Sequence, residues 1–251
     1  MRSAVKKAIG LLLAATVGVA AHAAELKVIA GGATRPALTG IIASYEKSTG
    51  NKVHVTFASA GSIRALLAKG EVADVLILPK ENFAEAENEG WVIPGSRADL
   101  ASVGIGMAVK AGAPVPDIST AEKFKAVLLE APTIALMDPA RGTSGKHLAE
   151  VFTSVGIAEQ LKPKSQLQQE GYVAVRVASG EAAIGLHQMS ELLPVAGVTI
   201  VGLVPAPYQK TTTYSAGVSA RSHQLPAAKS FIAFATSGEA RAVFRSSGFS
   251  D

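Results

Sequence analysis

Three times in this chain of 251 residues, a short apolar segment leads into a Gly-, Ser- or Thr-containing corner and then into an amphipathic helix pattern. The first corner spans residues 30–34, the second corner residues 59–62 and the third corner residues 141–145. Such alternation of strands and helices favours parallel α/β sheets. Because the start of a helix exposes unpaired backbone N–H groups and a partial positive charge, three such corners predict a binding site for a small anion.

Short apolar runs without strict alternation predict strands that are buried on both faces. The strand candidates span residues 26–30, 53–57, 73–78, 103–109, 133–137, 183–187, 198–204 and 216–219. We expect an α/β protein of two lobes, each a mostly parallel sheet flanked by helices, with the ligand cleft between the lobes. The predicted first lobe comprises residues 24–105 and 213–251, and the predicted second lobe residues 106–212.

The N-terminus has the pattern of a secretory signal peptide. Three basic residues precede an apolar run at residues 8–21, and Ala-His-Ala at residues 21–23 fits a cleavage site. The apolar run is short for a bilayer span, so a membrane anchor is the less favoured alternative. We therefore expect a signal peptide over residues 1–23, a periplasmic location and no membrane insertion of the mature chain.

Composition excludes several classes of function. The whole chain has 24 basic and 20 acidic residues, but without Arg2, Lys6 and Lys7 the balance is 21 to 20, so a nucleic-acid partner is not expected. The absence of cysteine excludes disulfides, thiolate metal sites and a cysteine nucleophile. Zinc-binding His spacing, the Gly-x-Ser-x-Gly elbow and the phosphate-binding loop motif are also missing. We expect neither a cofactor nor a metal.

Motifs along the whole mature chain resemble the molybdate-binding branch of periplasmic solute-binding proteins, in the type 2 class with two lobes. These motifs are Val-Ile-Ala-Gly-Gly-Ala at 28–33, Phe-Ala-Ser-Ala-Gly-Ser at 57–62, Ala-Asp-Val-Leu-Ile at 73–77, Asp-Pro at 138–139 with Thr-Ser-Gly at 143–145, and Gly-Glu-Ala-Ala-Ile-Gly at 180–185. The resemblance implies two lobes that close around a small anion, and an ABC-type permease as a partner.

The resemblance does not extend to the side chains that hold molybdate. Molybdate binders similar to this chain use two serines and a tyrosine at positions where Ala33, Ala60 and Gln188 stand here. Each lost hydroxyl donor costs on the order of 1–3 kcal/mol. The corners are followed instead by Arg35 and Arg64, whose guanidinium groups fit planar carboxylates. We therefore expect a di- or tricarboxylate as the ligand rather than molybdate.

Two functions remain open at this point. A transport binding protein would hold its ligand through the corners and their neighbours: Gly32, Ala33, Thr34, Arg35, Ser59, Ala60, Gly61, Ser62, Arg64, Thr143, Ser144, Gly145, Gly171, Tyr172 and Gln188. Aconitate isomerases also resemble this group, and proton transfer on an unsaturated tricarboxylic acid needs a general base tuned near neutrality. For that alternative, the candidates for the base are His147, His187, Glu170 and Lys146.

Overall fold

The computed structural model describes residues 23–250, so the predicted signal peptide lies outside the described residues apart from Ala23. The strands are β1 Glu25–Gly31, β2 Lys52–Ala58, β3 Val75–Pro79, β4 Ala98–Lys110, β5 Ile134–Met137, β6 Ser165–Gln168, β7 Ile184–Gln188, β8 Val198–Leu203 and β9 Thr211–Val218. The α-helices are α1 Arg35–Thr49, α2 Ala60–Ala68, α3 Phe83–Asn88, α4 Ala121–Glu130, α5 Thr143–Ser154, α6 Ala158–Leu161, α7 Ala174–Ser179, α8 Met189–Leu192, α9 Leu225–Ala235 and α10 Gly238–Ser246.

Two lobes share one continuous path of strands, in the order β2-β1-β3-β9-β4-β7-β5-β6, with β8 paired to β4. The long strand β4 connects them, because its residues up to Gly104 pair with β9 whereas those from Ile105 onward pair with β7. Strand β4 therefore runs from the first lobe into the second, and β9 begins beside the same point, because its Thr211 pairs with Gly104 of β4.

The pairing within each lobe is mixed rather than uniformly parallel. In the first lobe β1 is parallel to β2 and β3, but β9 is antiparallel to β3 and β4. In the second lobe β5 is parallel to β6 and β7, but β4 is antiparallel to β7 and β8. The antiparallel pairs all involve β4 or β9, so the difference from the prediction comes from these two strands.

Each lobe has its own apolar core. In the first lobe, Leu38 and Tyr45 of α1 are buried together with Phe231 of α9 and Phe244 of α10. The rings of Tyr45 and Phe231 meet edge to face with their centroids 5.2 Å apart. Phe124 of α4 lies in the main core of the second lobe. The two C-terminal helices therefore pack against the first helix of the chain rather than against the second lobe.

The corners lie where strands end and helices begin. Strand β1 ends at Gly31 and is followed by one turn of 3-10 helix before α1 begins. Strand β2 ends at Ala58, and the next residue, Ser59, caps the start of α2. Strand β5 ends at Met137, shortly before α5 begins at Thr143. Because β1, β2 and β5 each run into a helix at their carboxyl end, their corners face the region between the lobes.

One strand was not predicted, and two others begin well before their predicted starts. Strand β6 was not predicted, because Ser165–Gln168 is polar and only partly buried, so it lacks an apolar run. Strands β4 and β9 begin earlier than predicted, at Ala98 and Thr211. These early segments pair with each other in the first lobe, and their polar residues, such as Thr212 and Ser215, interrupt the apolar runs by which a strand is predicted although both are buried.

The packing of α9 can be tested with Phe231→Ala. Because this ring is fully buried in the first-lobe core, its loss is expected to lower the free energy of unfolding by about 3–5 kcal/mol. Chemical denaturation of the purified protein measures this change. Lys229→Ala, on the exposed side of the same helix, is the control and is expected to change stability by less than about 0.5 kcal/mol. A loss below about 1 kcal/mol for Phe231→Ala would contradict this account of the core.

Candidate functional site

A cavity of about 350 Å³ lies between the lobes, at the ends of the strands that lead into the corners. Its walls combine backbone of the corners with a few titratable and aromatic side chains. The lining residues are Gly31, Gly32, Ala33, Arg35, Phe57, Ala58, Ser59, Ala60, Pro79, Met137, Gly142, Thr143, Ser144, Glu170, Gly171, Tyr172, His187, Gln188, Glu191 and Tyr214. This volume suits a small organic anion rather than a polymer.

The first corner places a cation beside the cavity. The guanidinium carbon of Arg35 lies 4.3 Å from the centre of the Phe57 ring, a cation–π contact that orients the side chain. Among residues 23–250, no carboxylate lies within ion-pair distance of Arg35. Its charge is therefore available to an anionic ligand. Thr34, by contrast, is fully buried and donates its hydroxyl to the carbonyl of Gly31 at 2.7 Å, outside the cavity lining.

The second corner is bound to a carboxylate from the other lobe. Glu170 accepts hydrogen bonds from the backbone N–H of Ser59 at 3.0 Å, from the Ser59 hydroxyl at 2.7 Å and from the Ser62 hydroxyl. Partial burial opposes ionisation, but these bonds together lower the pKa of Glu170. Gly61 donates its N–H to the carbonyl of Arg141 at 3.0 Å. The lobes therefore touch along one side of the cavity.

The third corner is joined to the opposite lobe by a chain of side-chain hydrogen bonds. Gln188 donates its amide to the Thr143 hydroxyl at 3.0 Å and accepts from the Tyr214 hydroxyl at 3.0 Å. Burial, and after it the nearby Glu191, raise the pKa of Tyr214, so its hydroxyl stays protonated. Gly145 does not line the cavity, because its Cα faces β5 so closely that a Cβ would lie 2.0 Å from the Met137 carbonyl oxygen.

Two titratable side chains are buried in the cavity wall. His187 at the end of β7 and Glu191 in α8 are only 2% and 6% exposed, and Nε2 of His187 lies 3.2 Å from Oε2 of Glu191. Burial lowers the pKa of His187 to about 3. Burial, assisted by the charge of Glu170 and opposed by Arg35, raises the pKa of Glu191 to about 8. Burial thus favours the uncharged form of both groups, and their side chains lie within hydrogen-bond distance of each other.

Several residues predicted for the site lie outside the cavity lining. Arg64 points away and forms an ion pair with Glu85, with Nε 3.0 Å from Oε1, because its position in the second turn of α2 turns it from the cleft. His147 is held by the Tyr208 carbonyl oxygen, 2.9 Å from its Nε2. Lys146 faces a separate, smaller cavity of about 170 Å³, which Gly61 also lines.

The remaining predicted residues divide in the same way. Ser62 contacts Glu170 rather than the cavity, and Thr34 and Gly145 are packed against backbone. The predicted residues that do line the cavity are Gly32, Ala33, Arg35, Ser59, Ala60, Thr143, Ser144, Glu170, Gly171, Tyr172, His187 and Gln188. The structure thus brings parts of all three corners together around one space.

Glu191 and Tyr214 line the cavity although the sequence did not point to them. Tyr214 belongs to β9, which lies between β3 and β4 in the sheet, and it lines the cavity from the first lobe. Glu191 follows His187 by four residues, immediately after a buried strand. That His-x-x-x-Glu spacing at a strand end is the one signal in the sequence that would have found the pair.

The fold and the cleft define a class: a binding protein of two lobes with a small-molecule site between them. The chain belongs to the bacterial extracellular solute-binding protein family, whose model matches residues 26–250. The predicted resemblance to type 2 periplasmic binding proteins and the predicted α/β fold with two lobes are thereby confirmed. Members of this family include binders of small anions.

Individual relatives agree with this assignment. The chain is 35% identical to an aconitate isomerase of a Pseudomonas species over 245 residues, which cover 95% of this chain and 92% of that protein. It is 26% identical to the molybdate-binding protein ModA of Rhodobacter capsulatus, over 94% and 93% of the two chains. The solved periplasmic molybdate-binding protein of Azotobacter vinelandii superimposes with a TM-score of 0.76 at 21% identity, over 89% and 98% of the chains.

Two further observations concern residues 23–250. None of their helices has both the length and the apolar character that crossing a bilayer requires. Nor do three or more of their His, Asp and Glu side chains come together in an arrangement that could hold a metal ion.

The protonation of Glu191 can be tested through stability. Because the pKa of Glu191 is raised from 4.5 to about 8, the folded protein keeps a proton here that the unfolded chain loses in this range, so the contribution of Glu191 to stability falls as pH rises from 4.5 to about 8. The pKa of His187, lowered from 6.5 to about 3, has the opposite effect below about pH 6.5, so the net fall in stability is expected between about pH 6.5 and 8. The free energy of unfolding changes with the titration of one such group by up to about 1.4 kcal/mol per pH unit. Glu191→Gln is expected to remove this fall in stability. Melting curves of both proteins from pH 5 to 9 provide the measurement.

The matched control is Glu150→Gln, which removes an exposed carboxylate from α5. Its melting temperature is expected to follow the wild type at every pH. If Glu191→Gln also ran parallel to the wild type, Glu191 would be ionised in the folded protein.

Proposed function

We propose that the protein binds a small di- or tricarboxylic acid between its lobes in the periplasm and interconverts cis- and trans-aconitate there by proton transfer. The observation that carries this proposal is the buried pair of His187 and Glu191 in the wall of a cavity that also carries Arg35. Capture of an anion alone requires no such pair. A proton-transfer reaction does require groups whose pKa values are shifted by their surroundings.

Carboxylate binding is supported by the donors at the cavity. Arg35 offers a guanidinium fork that has no carboxylate partner among the described residues, and its planar geometry matches a carboxylate. The backbone of the first and third corners supplies further donors at helix starts. Ala33 and Ala60 line the cavity without hydroxyl groups, which disfavours a tetrahedral oxyanion held by serine.

The pair supplies an acid and a base together. Aconitate changes its double-bond geometry when a proton leaves its methylene carbon, the double bond shifts, and a proton joins the former vinylic carbon. One member of the pair would accept the first proton and the other would donate the second, so no atom is gained or lost overall. After one turnover the base carries an extra proton and the acid lacks one. Because the two side chains lie 3.2 Å apart, a proton can pass directly from the first to the second and return the pair to its starting protonation state.

The charge that develops on the substrate needs stabilisation at fixed positions. Proton removal places negative charge on the carboxylate conjugated with the reacting carbons, and oriented donors in an enclosed site stabilise such charge strongly. Arg35 and the N–H groups at the starts of the 3-10 turn before α1 and of α5 are the groups that would serve this purpose. Glu170 is not assigned the base, because its hydrogen bonds hold it ionised and bound to the second corner.

The similarity to an aconitate isomerase, at 35% identity over nearly the full length of both chains, supports the reaction that we propose. The second candidate is a transport binding protein that delivers the same acid to an ABC-type permease. It is favoured by the contact of both lobes around one cavity, which is all that capture by lobe closure needs. The two candidates share Arg35 but differ over His187 and Glu191.

The reaction can be followed by proton NMR of cis-aconitate incubated with the protein in D2O. The proposal predicts formation of trans-aconitate with deuterium at its methylene carbon, because the returning proton exchanges with solvent. Glu191→Gln is expected to lower the rate at least 100-fold, and the wild-type rate is expected to fall above about pH 8, where Glu191 ionises. Binding without conversion from pH 6 to 9 would reject the isomerase and leave the transport candidate.

The role of Arg35 can be tested by calorimetric titration with trans-aconitate. Arg35→Ala is expected to weaken binding at least 10-fold, because the free guanidinium at the cavity is lost. Arg64→Ala is a matched control, since Arg64 lies one helix away and is paired with Glu85. Equal dissociation constants for Arg35→Ala and the wild type would remove Arg35 from the site.

A further inference from the structure

Glu170 places a carboxylate of this chain where an anionic ligand would bind. It lies in the loop after β6 of the second lobe, and its two oxygens accept from the Ser59 N–H, the Ser59 hydroxyl and the Ser62 hydroxyl of the first lobe. Arg141 of the third corner adds a bond from Nη1 to the Ser62 hydroxyl oxygen at 3.0 Å. The hydroxyl groups of Ser59 and Ser62 and the N–H groups of Ser59, Gly61 and Ser62 are therefore all bonded to groups of the protein itself.

The other two corners differ from the second in this respect. No side chain of residues 23–250 caps the starts of α1 or α5, whereas Ser59 caps α2 by accepting from the Ser62 N–H. A ligand in the cavity therefore meets the uncapped start of the 3-10 turn before α1 in the first corner and the uncapped start of α5 in the third corner. In the second corner it would have to displace an ionised carboxylate and leave that carboxylate without its three donors.

We propose that Glu170 is the specificity-determining residue of the cavity: it occupies the donors of the second corner, and so excludes tetrahedral oxyanions and confines the ligand to the first and third corners. The inference rests on the proposed function in that the ligand is taken to be a polycarboxylate. A planar, branched acid reaches Arg35 and the third corner without the second. A compact tetrahedral oxyanion needs donors on several sides at once.

The geometry of the lobes agrees with this assignment. The second and third corners approach so closely that a Cβ on Gly61 would lie 2.9 Å from the Ala140 carbonyl oxygen. Glu170 bonds to the second corner beside this contact, so one carboxylate both fills the donors and links the lobes. The neighbouring Gln169 does not take part, since its amide donates to Asp138 at 2.7 Å within the second lobe.

The experiment is calorimetric titration of the full-length mature protein with sodium molybdate, sodium sulfate and trans-aconitate. Glu170→Ala frees the three donors and is expected to bind molybdate or sulfate at least 10-fold more tightly than the wild type does. Glu170→Asp keeps the charge but shortens the side chain, and is expected to show a smaller gain. Glu159→Ala removes an exposed carboxylate elsewhere on the same lobe and is expected to bind all three anions as the wild type does.

The outcomes separate this inference from the proposed function. If Glu170→Ala, shown to be folded by its melting curve, binds the oxyanions no better than the wild type, the assignment of Glu170 is overturned. Glu170→Asp decides in the same way if the alanine variant does not fold. Tight molybdate binding by the wild type would also overturn it. A wild type that binds no trans-aconitate rejects the proposed function, while a gain of oxyanion binding in Glu170→Ala would still support the assignment.

Discussion

Backbone N–H groups at a helix start have no partner within their own helix, and the cavity is built around three such starts. Strands β1, β2 and β5 end at the cleft, so the first turns of α1, α2 and α5 face one another across it. Leaving these groups dry and unpaired would be costly, so each start must find water, a side chain or a ligand. The way in which each start is satisfied determines what the cleft can bind.

Two glutamates at this cavity are shifted in opposite directions, and the difference follows from their surroundings. Glu170 accepts three hydrogen bonds at the start of α2, which lower its pKa despite partial burial. Glu191 is buried against His187 and feels the charge of Glu170, so its pKa rises to about 8. One carboxylate is thereby fixed as a structural anion and the other kept as a neutral acid. This separation of roles is what acid–base chemistry at a binding cleft requires.

The sequence predicted the lobes and the corners well because both depend on local pattern. Apolar runs mark buried strands, and Gly, Ser and Thr mark the tight starts of helices. It predicted individual side chains less well, because a helix position does not say which way the residue faces. Arg35 and Arg64 each follow a corner closely, so the sequence predicts both as ligand-binding residues. In the structure Arg35 lies over Phe57 at the cavity, whereas Arg64 forms an ion pair with Glu85 outside it. Tyr214 and β6 depended on tertiary pairing, which no local pattern reveals.

The contrast with molybdate binders can be understood from the donors in the cleft. Because Ala33 and Ala60 have no hydroxyl groups, the cavity lacks the two serine hydroxyls that the resemblance would require. Gln188 already donates its amide N–H to Thr143 and accepts at its amide oxygen from the Tyr214 hydroxyl. Two of the neutral donors that the resemblance would require are therefore missing, and the side chain in place of the third is bonded inside the protein. What the cavity retains is the charge of Arg35, neutral donors that include the Ser144 and Tyr172 hydroxyls, and the buried pair of His187 and Glu191. A scaffold that grips an anion by closing needs only the first two of these, so the proposed isomerase and the proposed carrier differ in whether they use the buried pair of His187 and Glu191.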